Sequence, residues 1–376
     1  MENQKTFNKV LFVLGNMEVG GVQSGIINFA KITPPDKVHF DVLVLTSNIG
    51  FHEEEFKKYG NVYHIPLPFR KNKLSGLIFS RIDDRIFARK FNKFLEEHND
   101  YDAVHAKLLA HAGVVVKVAK KHGIPVRVTQ SHVDKPEHLN LLSRLYYKRQ
   151  ARIIEKYATH KLAVSPKAAD LLYGKYGGRV IKNPTISLER LDPKKYGLVP
   201  HEGINFIQIG TYSHRKNQVF SVNILKALAD KGIKAHLTFI GFPLDEPDYI
   251  KDIEAAVKDN GLTGSVTFLP KDADVPKLLS ESDYMLIPSL REGLPNVALE
   301  AQAMGVPCFI SDTVNPETDC GLCEFLPLTS GADAWAQAII DYRQKYGTGK
   351  RFVDMSEWDN KKVCEEYIKI WGGGDE

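Results

Sequence analysis

Cysteine, long apolar runs and a secretion signal are scarce or missing in this sequence. Its 376 residues include four cysteines, too few for a disulfide framework in a chain of this length, which favours a reducing compartment. A run of about 18 apolar residues does not occur, which argues against a transmembrane helix. Residues 1–5 lead directly into an apolar segment, without the hydrophobic region and cleavage site of a signal peptide. We therefore expect a cytoplasmic protein.

The composition is that of a globular protein, and the length of the chain suggests two hydrophobic cores. Hydrophobic residues make up 43% and charged residues 26% of the chain, and its length is generous for one domain. Short apolar segments typical of buried strands recur through the first half, beginning with residues 9–15 and 38–46, and helix-period segments such as 22–31 lie between them. This alternation predicts a parallel sheet that helices cover on both faces.

The alternation is interrupted once and then starts again. Residues 183–203 carry Pro184, Pro193, Pro200 and many charges, which is typical of a linker. We predict a first doubly wound domain over residues 1–190, a linker at 191–203, a second doubly wound domain over 204–350, and a C-terminal helix within 351–376 that packs back toward the first domain. Because ligands bind beyond the carboxyl ends of the strands in such sheets, two sheets facing each other would hold a substrate in the cleft between them.

The net charge of +4 is divided unequally between the two halves. Residues 1–200 contain 33 Lys and Arg against 19 Asp and Glu, a net charge of +14, whereas residues 201–376 contain 17 against 27, a net charge of −10. The first half is therefore expected to meet an anionic partner, and on charge alone nucleic acid, anionic lipid and a phosphorylated acceptor are all open.

Part of this positive charge lies on one predicted helix, residues 141–158. Four basic residues recur there at every fourth position and share one face; they are Arg144, Lys148, Arg152 and Lys156, called the basic face below. The face suits either an anionic membrane surface or ordinary solvation of a domain helix. The sequence contains no pattern of a nucleic-acid-binding module, so a nucleic-acid partner is not expected.

The strongest local motif follows a predicted strand at residues 284–288. A loop carries Glu292 and Gly293 and leads into a predicted helix that starts at Pro295 and contains Glu300. If the segment were all helical, the two carboxylates would stand roughly 12 Å apart along the axis, about the reach from a hexose to the ribose of a nucleotide diphosphate sugar. Free amides at the helix start would favour an anion. Taken alone, the two glutamates are better explained as surface charges, with Glu292 favouring a helix N-terminus.

From residue 288 to 307 this motif resembles the retaining family 4 glycosyltransferases, especially those that build bacterial exopolysaccharide and capsule. Further matches run through nearly the whole chain, at residues 20–22, 101–105, 123–127, 131–132, 164–165, 180–183, 210 and 216–217. The resemblance implies the GT-B fold, two Rossmann-like domains facing a cleft, and transfer of a hexose-type sugar from a nucleotide diphosphate sugar to a glycan acceptor.

The resemblance also implies roles for individual residues. Glu300 would accept hydrogen bonds from the ribose hydroxyls, and Glu292 would hold the donor hexose. Lys216 would neutralise the departing diphosphate, and His132 would line the sugar pocket. The remaining donor-binding positions contribute backbone or small side chains around the phosphates and the hexose; they are Gly20, Gly21, Gly210, Thr211, Gly293, Leu294, Asn296 and Val297.

One position departs from the family pattern. An arginine usually follows the glycine that ends the first strand of the second domain, and this chain has Thr211 there. Either Arg215 supplies the missing guanidinium from the same loop, or the phosphate site is weaker, or the protein is a non-catalytic relative. Asp272 and Asp274 form a D-x-D, but Asp274 precedes a helical segment and is interpreted as its N-cap. We therefore expect no metal and no cofactor besides the donor substrate.

These observations predict a metal-independent, retaining glycosyltransferase of surface polysaccharide synthesis. Its predicted partners are a nucleotide sugar, a polyprenyl-diphosphate-linked glycan and the anionic inner face of the cell membrane. Two alternatives remain open at this point: a nucleotide-sugar epimerase or sugar-phosphate synthase that acts on a soluble substrate, and a non-catalytic glycan- or lipid-binding relative.

Overall fold

A computed structural model of the chain describes residues 8–18, 20–67, 78–109, 111–132, 141–197, 201–243, 246–292, 294–347 and 350–372. The chain divides into two compact units. The first consists of residues up to Thr185 together with those from Trp358 onward, and the second of Ile186–Glu357. Ile186 and Leu191, both buried, thus fall in the second unit, whereas we predicted the first domain to extend to residue 190.

In the first unit, seven described strands form one parallel sheet in the order β3-β2-β1-β4-β5-β6-β7. The strands are β1 Asn8–Leu14, β2 Val38–Val44, β3 Val62–His64, β4 Ala103–Ala106, β5 Val126–Ser131, β6 His160–Ala163 and β7 Arg179–Val180. The helices are α1 Gly21–Ile32, α2 Glu53–Phe56, α3 Ile78–Glu97, α4 Ala112–Lys121, α5 Leu141–Tyr157, α6 Pro166–Tyr173 and, from the end of the chain, α12 Asn360–Trp371. Apolar clusters cover both faces of the sheet, as expected for parallel strands.

The last helix, α12, completes one of these two faces. Trp371 packs edge-on against Phe12, Phe29 and Phe40, with ring centroids 5.0–5.6 Å apart. Its indole Nε1 also donates a hydrogen bond of 3.3 Å to Nδ1 of His105 on β4. Because a buried aromatic ring contributes a large apolar area to a core, the first unit depends on a helix that is distant from it in the sequence.

In the second unit, six described strands form a parallel sheet in the order β10-β9-β8-β11-β12-β13. The strands are β8 Ile204–Ile209, β9 Ala235–Ile240, β10 Val266–Leu269, β11 Tyr284–Ile287, β12 Cys308–Ser311 and β13 Cys323–Leu326. The helices are α7 Gln218–Asp230, α8 Tyr249–Asp259, α9 Val275–Ser280, α10 Asn296–Ala303 and α11 Gly331–Tyr346. Both units are thus doubly wound α/β domains, as predicted.

Part of the stretch that we predicted as a linker adopts regular structure. Pro193 opens a short 3-10 helix, Pro193–Lys195, in which the Asp192 carboxylate accepts a hydrogen bond from the Lys194 amide at 3.0 Å. Proline restricts the backbone without preventing a turn of this kind. Among the described helices, none is both long and apolar enough to cross a bilayer.

Candidate active site

The site in the second unit lies at the point where the order of the strands reverses. Strands β8 and β11 are neighbours in the sheet, and the chain winds away from them in opposite directions. Their carboxyl ends form the position at which open α/β sheets bind ligands. The loop that follows β8 carries Gly210, Thr211, Arg215 and Lys216, and the loop that follows β11 carries Glu292.

A lysine–glutamate pair joins these two loops. Nζ of Lys216 lies 2.5 Å from Oε1 of Glu292, and Nη1 of Arg215 lies 3.5 Å from Oε2 of the same carboxylate. The side chains of Lys216 and Glu292 are 15% and 10% exposed, whereas that of Arg215 is 55% exposed. Two cations therefore share one carboxylate, which leaves a formal charge of +1 at the site. Such a site suits an anionic ligand.

Backbone contacts hold the two loops against each other. The amide of Leu290 donates to the carbonyl of Arg215 at 2.8 Å. Nδ2 of Asn217 donates to the carbonyl of Pro288 at 3.1 Å, and Asn217 itself adopts a left-handed conformation with φ of 56°, which asparagine tolerates better than most residues. Nε2 of Gln208 donates to the carbonyl of Lys216 at 2.9 Å. These bonds fix the backbone from which both cations extend.

Gly210 lies directly beside the side chain of Lys216. Its φ is +152°, and a Cβ at this residue would lie 3.2 Å from Cε and 3.6 Å from Nζ of Lys216. The neighbouring Thr211 is half-buried, and its carbonyl accepts a hydrogen bond from Gln218 at 3.0 Å. The guanidinium of Arg215 reaches the same carboxylate as Lys216, a contact that is consistent with the first of the three alternatives given for Thr211.

The loop around Glu292 differs from the all-helical segment used to estimate the separation of the two glutamates. Glu292 forms an isolated bridge with Val314, and α10 begins only at Asn296, with Pro295 as its cap. The 12 Å estimate therefore does not apply. Leu294, Asn296 and Val297 are half-buried at the start of this helix, while Gly293 lies outside the described residues.

Glu300 lies one turn into α10, and the pKa of its carboxyl is raised. Burial raises the pKa of its carboxyl from 4.5 to about 7, and the positive charge of Arg190 opposes part of this shift. Within the described residues, no hydrogen bond or ion pair reaches this carboxyl. A desolvated group without a partner is a candidate for ligand binding. Arg190 was missed in the sequence because it lies in the proline-containing stretch of residues 183–203 and in no motif.

The first unit holds the other predicted site residues, at the equivalent edge of its own sheet. Gly20 and Gly21 lie where β1 leads into α1, and a Cβ on Gly20 would stand 2.7 Å from Oε1 of Gln23. His132 directly follows β5. Burial, together with the nearby charge of Lys107, holds the pKa of His132 well below its usual range, so its ring is neutral at pH 7.

All four residues of the basic face are exposed on α5. Two leucines on the same helix are also exposed, Leu141 at 71% and Leu145 at 49%. Apolar side chains set among cations are typical of helices that lie on anionic membrane surfaces.

The interpretation of Asp274 as an N-cap is confirmed, since its carboxylate caps α9 and accepts a hydrogen bond from the Lys277 amide at 3.3 Å. The four cysteines are free thiols. The parts of the chain that the structure describes contain no cluster of three or more His, Cys, Asp or Glu residues arranged to hold a metal ion.

Comparison with known proteins identifies two family segments. The model described as Glycosyltransferase Family 4 matches residues 19–185, and the model described as Glycosyl transferases group 1 matches residues 203–344. The two matches coincide closely with the two structural units.

Relatives and solved structures with similar chains agree with this assignment. EpsF of Bacillus subtilis, named as a glycosyltransferase, is 28% identical over 347 residues, which cover 88% of this chain and 86% of EpsF. The capsular polysaccharide biosynthesis glycosyltransferase CapH of Staphylococcus aureus is 25% identical and covers 78% of each chain. The crystal structure of Anabaena HepE in complex with UDP shares the fold, with a TM-score of 0.69 at 17% identity over 97% of both chains.

Proposed function

The chain belongs to the family 4 and group 1 glycosyltransferases, and from this premise we propose that it transfers a hexose-type sugar from a nucleotide diphosphate sugar to a lipid-linked glycan, with retention and without a metal. The observation that carries the proposal is the sharing of the Glu292 carboxylate by Lys216 and Arg215 at the reversal point of the second sheet. Since CapH is named for capsular polysaccharide biosynthesis, we place the reaction in the same class of pathway.

In the proposed reaction, Lys216, Arg215 and Glu292 exchange their contacts with one another for contacts with the donor. Before the donor binds, Glu292 neutralises one of the two cations. When the diphosphate enters, Lys216 and Arg215 turn toward its oxygens, and Glu292 becomes free to accept hydrogen bonds from hexose hydroxyls. The bond between C1 and the diphosphate oxygen then breaks while the acceptor oxygen bonds to C1 on the same face, and the acceptor proton passes to the departing diphosphate. Fixed cations stabilise the negative charge that develops there.

Substitution of each cation tests this account. We expect Lys216→Ala to lower kcat about 10²- to 10³-fold, the range for removal of one preorganised stabilising group, and Arg215→Ala to lower it comparably if Arg215 replaces the missing arginine. Transfer is measured with UDP-sugars as first donors, since HepE was solved with UDP. Lys226→Ala is the matched control, because this lysine lies on α7 and pairs with Asp230. Full activity in Lys216→Ala would contradict the proposal, and unchanged kinetics in Arg215→Ala would remove Arg215 from it.

The acceptor proposal depends on the first unit. Its basic face and the exposed Leu141 and Leu145 would rest on anionic lipid at the inner face of the membrane, where polyprenyl-diphosphate-linked glycans are present. Each basic side chain near an anionic surface contributes about 1 kcal/mol, so four give reversible attachment. Salt weakens the attraction, because exposed charges are screened beyond a Debye length of about 8 Å at physiological ionic strength.

Sedimentation with lipid vesicles tests this attachment. We expect the protein to pellet with anionic vesicles at low salt, to remain in solution with neutral ones, and to lose binding when the four residues of the basic face become Glu. The matched control replaces Lys117, Lys120 and Lys121, which are exposed on α4, with Glu. Equal partitioning to both kinds of vesicle, or equal loss in the control, would leave the basic face as a solvated surface.

A further inference from the structure

A buried lysine occupies the reversal point of the first sheet. Lys107 directly follows β4, and its amide donates to the carbonyl of Val13 on β1 at 2.9 Å. In the order β3-β2-β1-β4-β5-β6-β7 the direction of winding changes between β1 and β4. Lys107 therefore holds in the first unit the kind of position that the Lys216–Glu292 pair holds in the second, the position where open α/β sheets bind ligands.

The surroundings of this lysine contain no opposite charge. Lys107 is 7% exposed, and Nζ lies 5.6–5.8 Å from the ring centroids of Phe12, Phe29 and Tyr367. Oε1 of Gln130 accepts a hydrogen bond from it at 2.6 Å. No carboxylate pairs with it among the described residues, and burial lowers its pKa to about 7. Because burying a cation without a counter-charge costs stability, a methionine at this position would give a more stable core than the lysine does.

The ammonium also faces His132. Nζ of Lys107 lies 3.5 Å from Nε2 of this histidine, at the long end of the hydrogen-bonding range. The other ring nitrogen, Nδ1, is buried and has no hydrogen-bond partner within the described part of the chain. Which nitrogen of a neutral histidine carries the proton is set by the partner of the other nitrogen. An ammonium beside Nε2 requires a lone pair there, and the proton is then on Nδ1.

We propose that Lys107 is a positioning residue that holds His132 as the neutral tautomer with its proton on Nδ1, so that Nδ1–H donates a hydrogen bond to a hydroxyl oxygen of a sugar substrate. This inference rests on the proposed transfer reaction for the identity of the ligand. The relation between the two side chains does not depend on it. The unpartnered Nδ1 indicates a ligand, because a buried N–H donor without an acceptor is unfavourable until a ligand provides the acceptor.

Lys107 is itself held in place by the last helix. Gln130, which accepts from its ammonium, donates through Nε2 to the hydroxyl of Tyr367 on α12 at 2.6 Å. The other titratable groups around the pair are His105 on β4, whose pKa is also held low by burial and by Lys107, and Tyr367, whose pKa burial raises. The charge of His160, at the start of β6, also lowers the pKa of His105, but less than Lys107 does.

Nitrogen NMR of ¹⁵N-histidine-labelled protein tests the inference without any substrate. The signal of His132 is assigned by its loss in His132→Gln. In the unsubstituted protein we expect a neutral ring protonated on Nδ1 at pH 6, which lies below the pKa of about 7 that burial gives Lys107, so that its amine is protonated. In Lys107→Met the proton should move to Nε2, the tautomer that a free imidazole ring prefers, and the pKa of His132 should rise. In Lys107→Gln the amide still donates to Nε2, so the tautomer should persist while the pKa rises.

Activity measurements complete the test. We expect Lys107→Met to lower kcat about tenfold to a hundredfold, the range known for the hydrogen-bonding partners of functional histidines in metal sites, with a smaller loss in Lys107→Gln. The matched control is Lys350→Met, which removes a half-buried lysine of the second unit whose pKa burial lowers to about 8.

Three results would overturn the inference: a His132 ring protonated on Nε2 in the unsubstituted protein, a tautomer that Lys107→Met leaves unchanged, or a kcat that falls no further than in Lys350→Met. If the unsubstituted protein transferred no sugar at all, the proposed function would fail, and the NMR comparison would still decide the relation between Lys107 and His132.

Discussion

Replacing Glu300 with glutamine should stabilise the protein and weaken nucleotide binding at the same time. The pKa of this carboxyl is raised by burial from 4.5 to about 7. Between these two pH values the unfolded chain has lost the proton while the native state still holds it. Ionisation of Glu300 therefore does not lower the free energy of unfolding below about pH 4.5. That free energy decreases as the pH rises from there through 7.

The magnitude follows from the size of the shift. A difference of one pKa unit corresponds to 1.36 kcal/mol, so a rise from 4.5 to about 7 costs about 3 kcal/mol above pH 7. Because Glu300 is half-buried, solvent screening reduces this to about 2 kcal/mol. Glutamine keeps the shape and does not ionise. For a domain of this size about 2 kcal/mol corresponds to a rise in Tm of about 4–8 °C.

The assay compares thermal unfolding of the two proteins at pH 5 and pH 8. We expect Glu300→Gln to be more stable at pH 8 and nearly equal to the original protein at pH 5. Glu254→Gln, an exposed glutamate on α8 of the same unit, serves as the control and should change neither value. A difference in Tm that is independent of pH would refute the reasoning from burial.

Calorimetry with UDP supplies the second half of this prediction. If the ionised carboxyl accepts hydrogen bonds from the ribose hydroxyls, affinity should rise by up to tenfold per pH unit below 7 and level off above it. Titration of the nucleotide itself cancels in the comparison with Glu300→Gln, which should bind more weakly and lack this dependence. Equal affinities at pH 8 would remove Glu300 from the donor site, whatever the stability result.

Two further predictions concern the same unit. Gly210→Ala should cost about 1–3 kcal/mol of stability, because alanine rarely adopts a φ of +152°. It should also lower kcat, because its Cβ would stand 3.2 Å from Cε of Lys216 and require a small shift of this side chain. Gly264→Ala, which has open space around it, is the control, and equal effects in a denaturation series would contradict the expectation. Transfer should survive excess EDTA, since cations of the protein neutralise the diphosphate; loss of turnover that Mn²⁺ restores would instead direct attention to Asp272 and Asp274.

The succession of strands and helices along the chain and the loops that carry the site were accessible from the sequence, because both depend on short-range patterns. Apolar segments bounded by glycine and proline predicted most of the strands, and the residues after β8 and β11 then had to share one edge of the sheet. Strand β13 was missed: Cys323–Leu326 is short and half-exposed, so it lacks the continuous apolar character of the central strands.

The contacts within the site could not be predicted, since they depend on how side chains are placed in space. The sequence identified Lys216 and Glu292 separately, but their ion pair requires the backbone hydrogen bond that holds the loop after β8 against the loop after β11. Lys107 was overlooked for a related reason. Lysine is rarely buried, and only the packing of α12 against β1 and α1 encloses it in aromatic rings.

The return of α12 to the first unit has a consequence for synthesis of the protein on the ribosome. The second unit is inserted between two parts of the first, so the first sheet forms early but lacks Tyr367 and Trp371 until the whole second unit has been translated. Until then the rings of Phe12, Phe29 and Phe40, which Trp371 covers in the finished protein, remain open to other chains. The nascent chain therefore passes through a stage in which a chaperone that binds aromatic segments has a defined target, and that target disappears when the last helix docks.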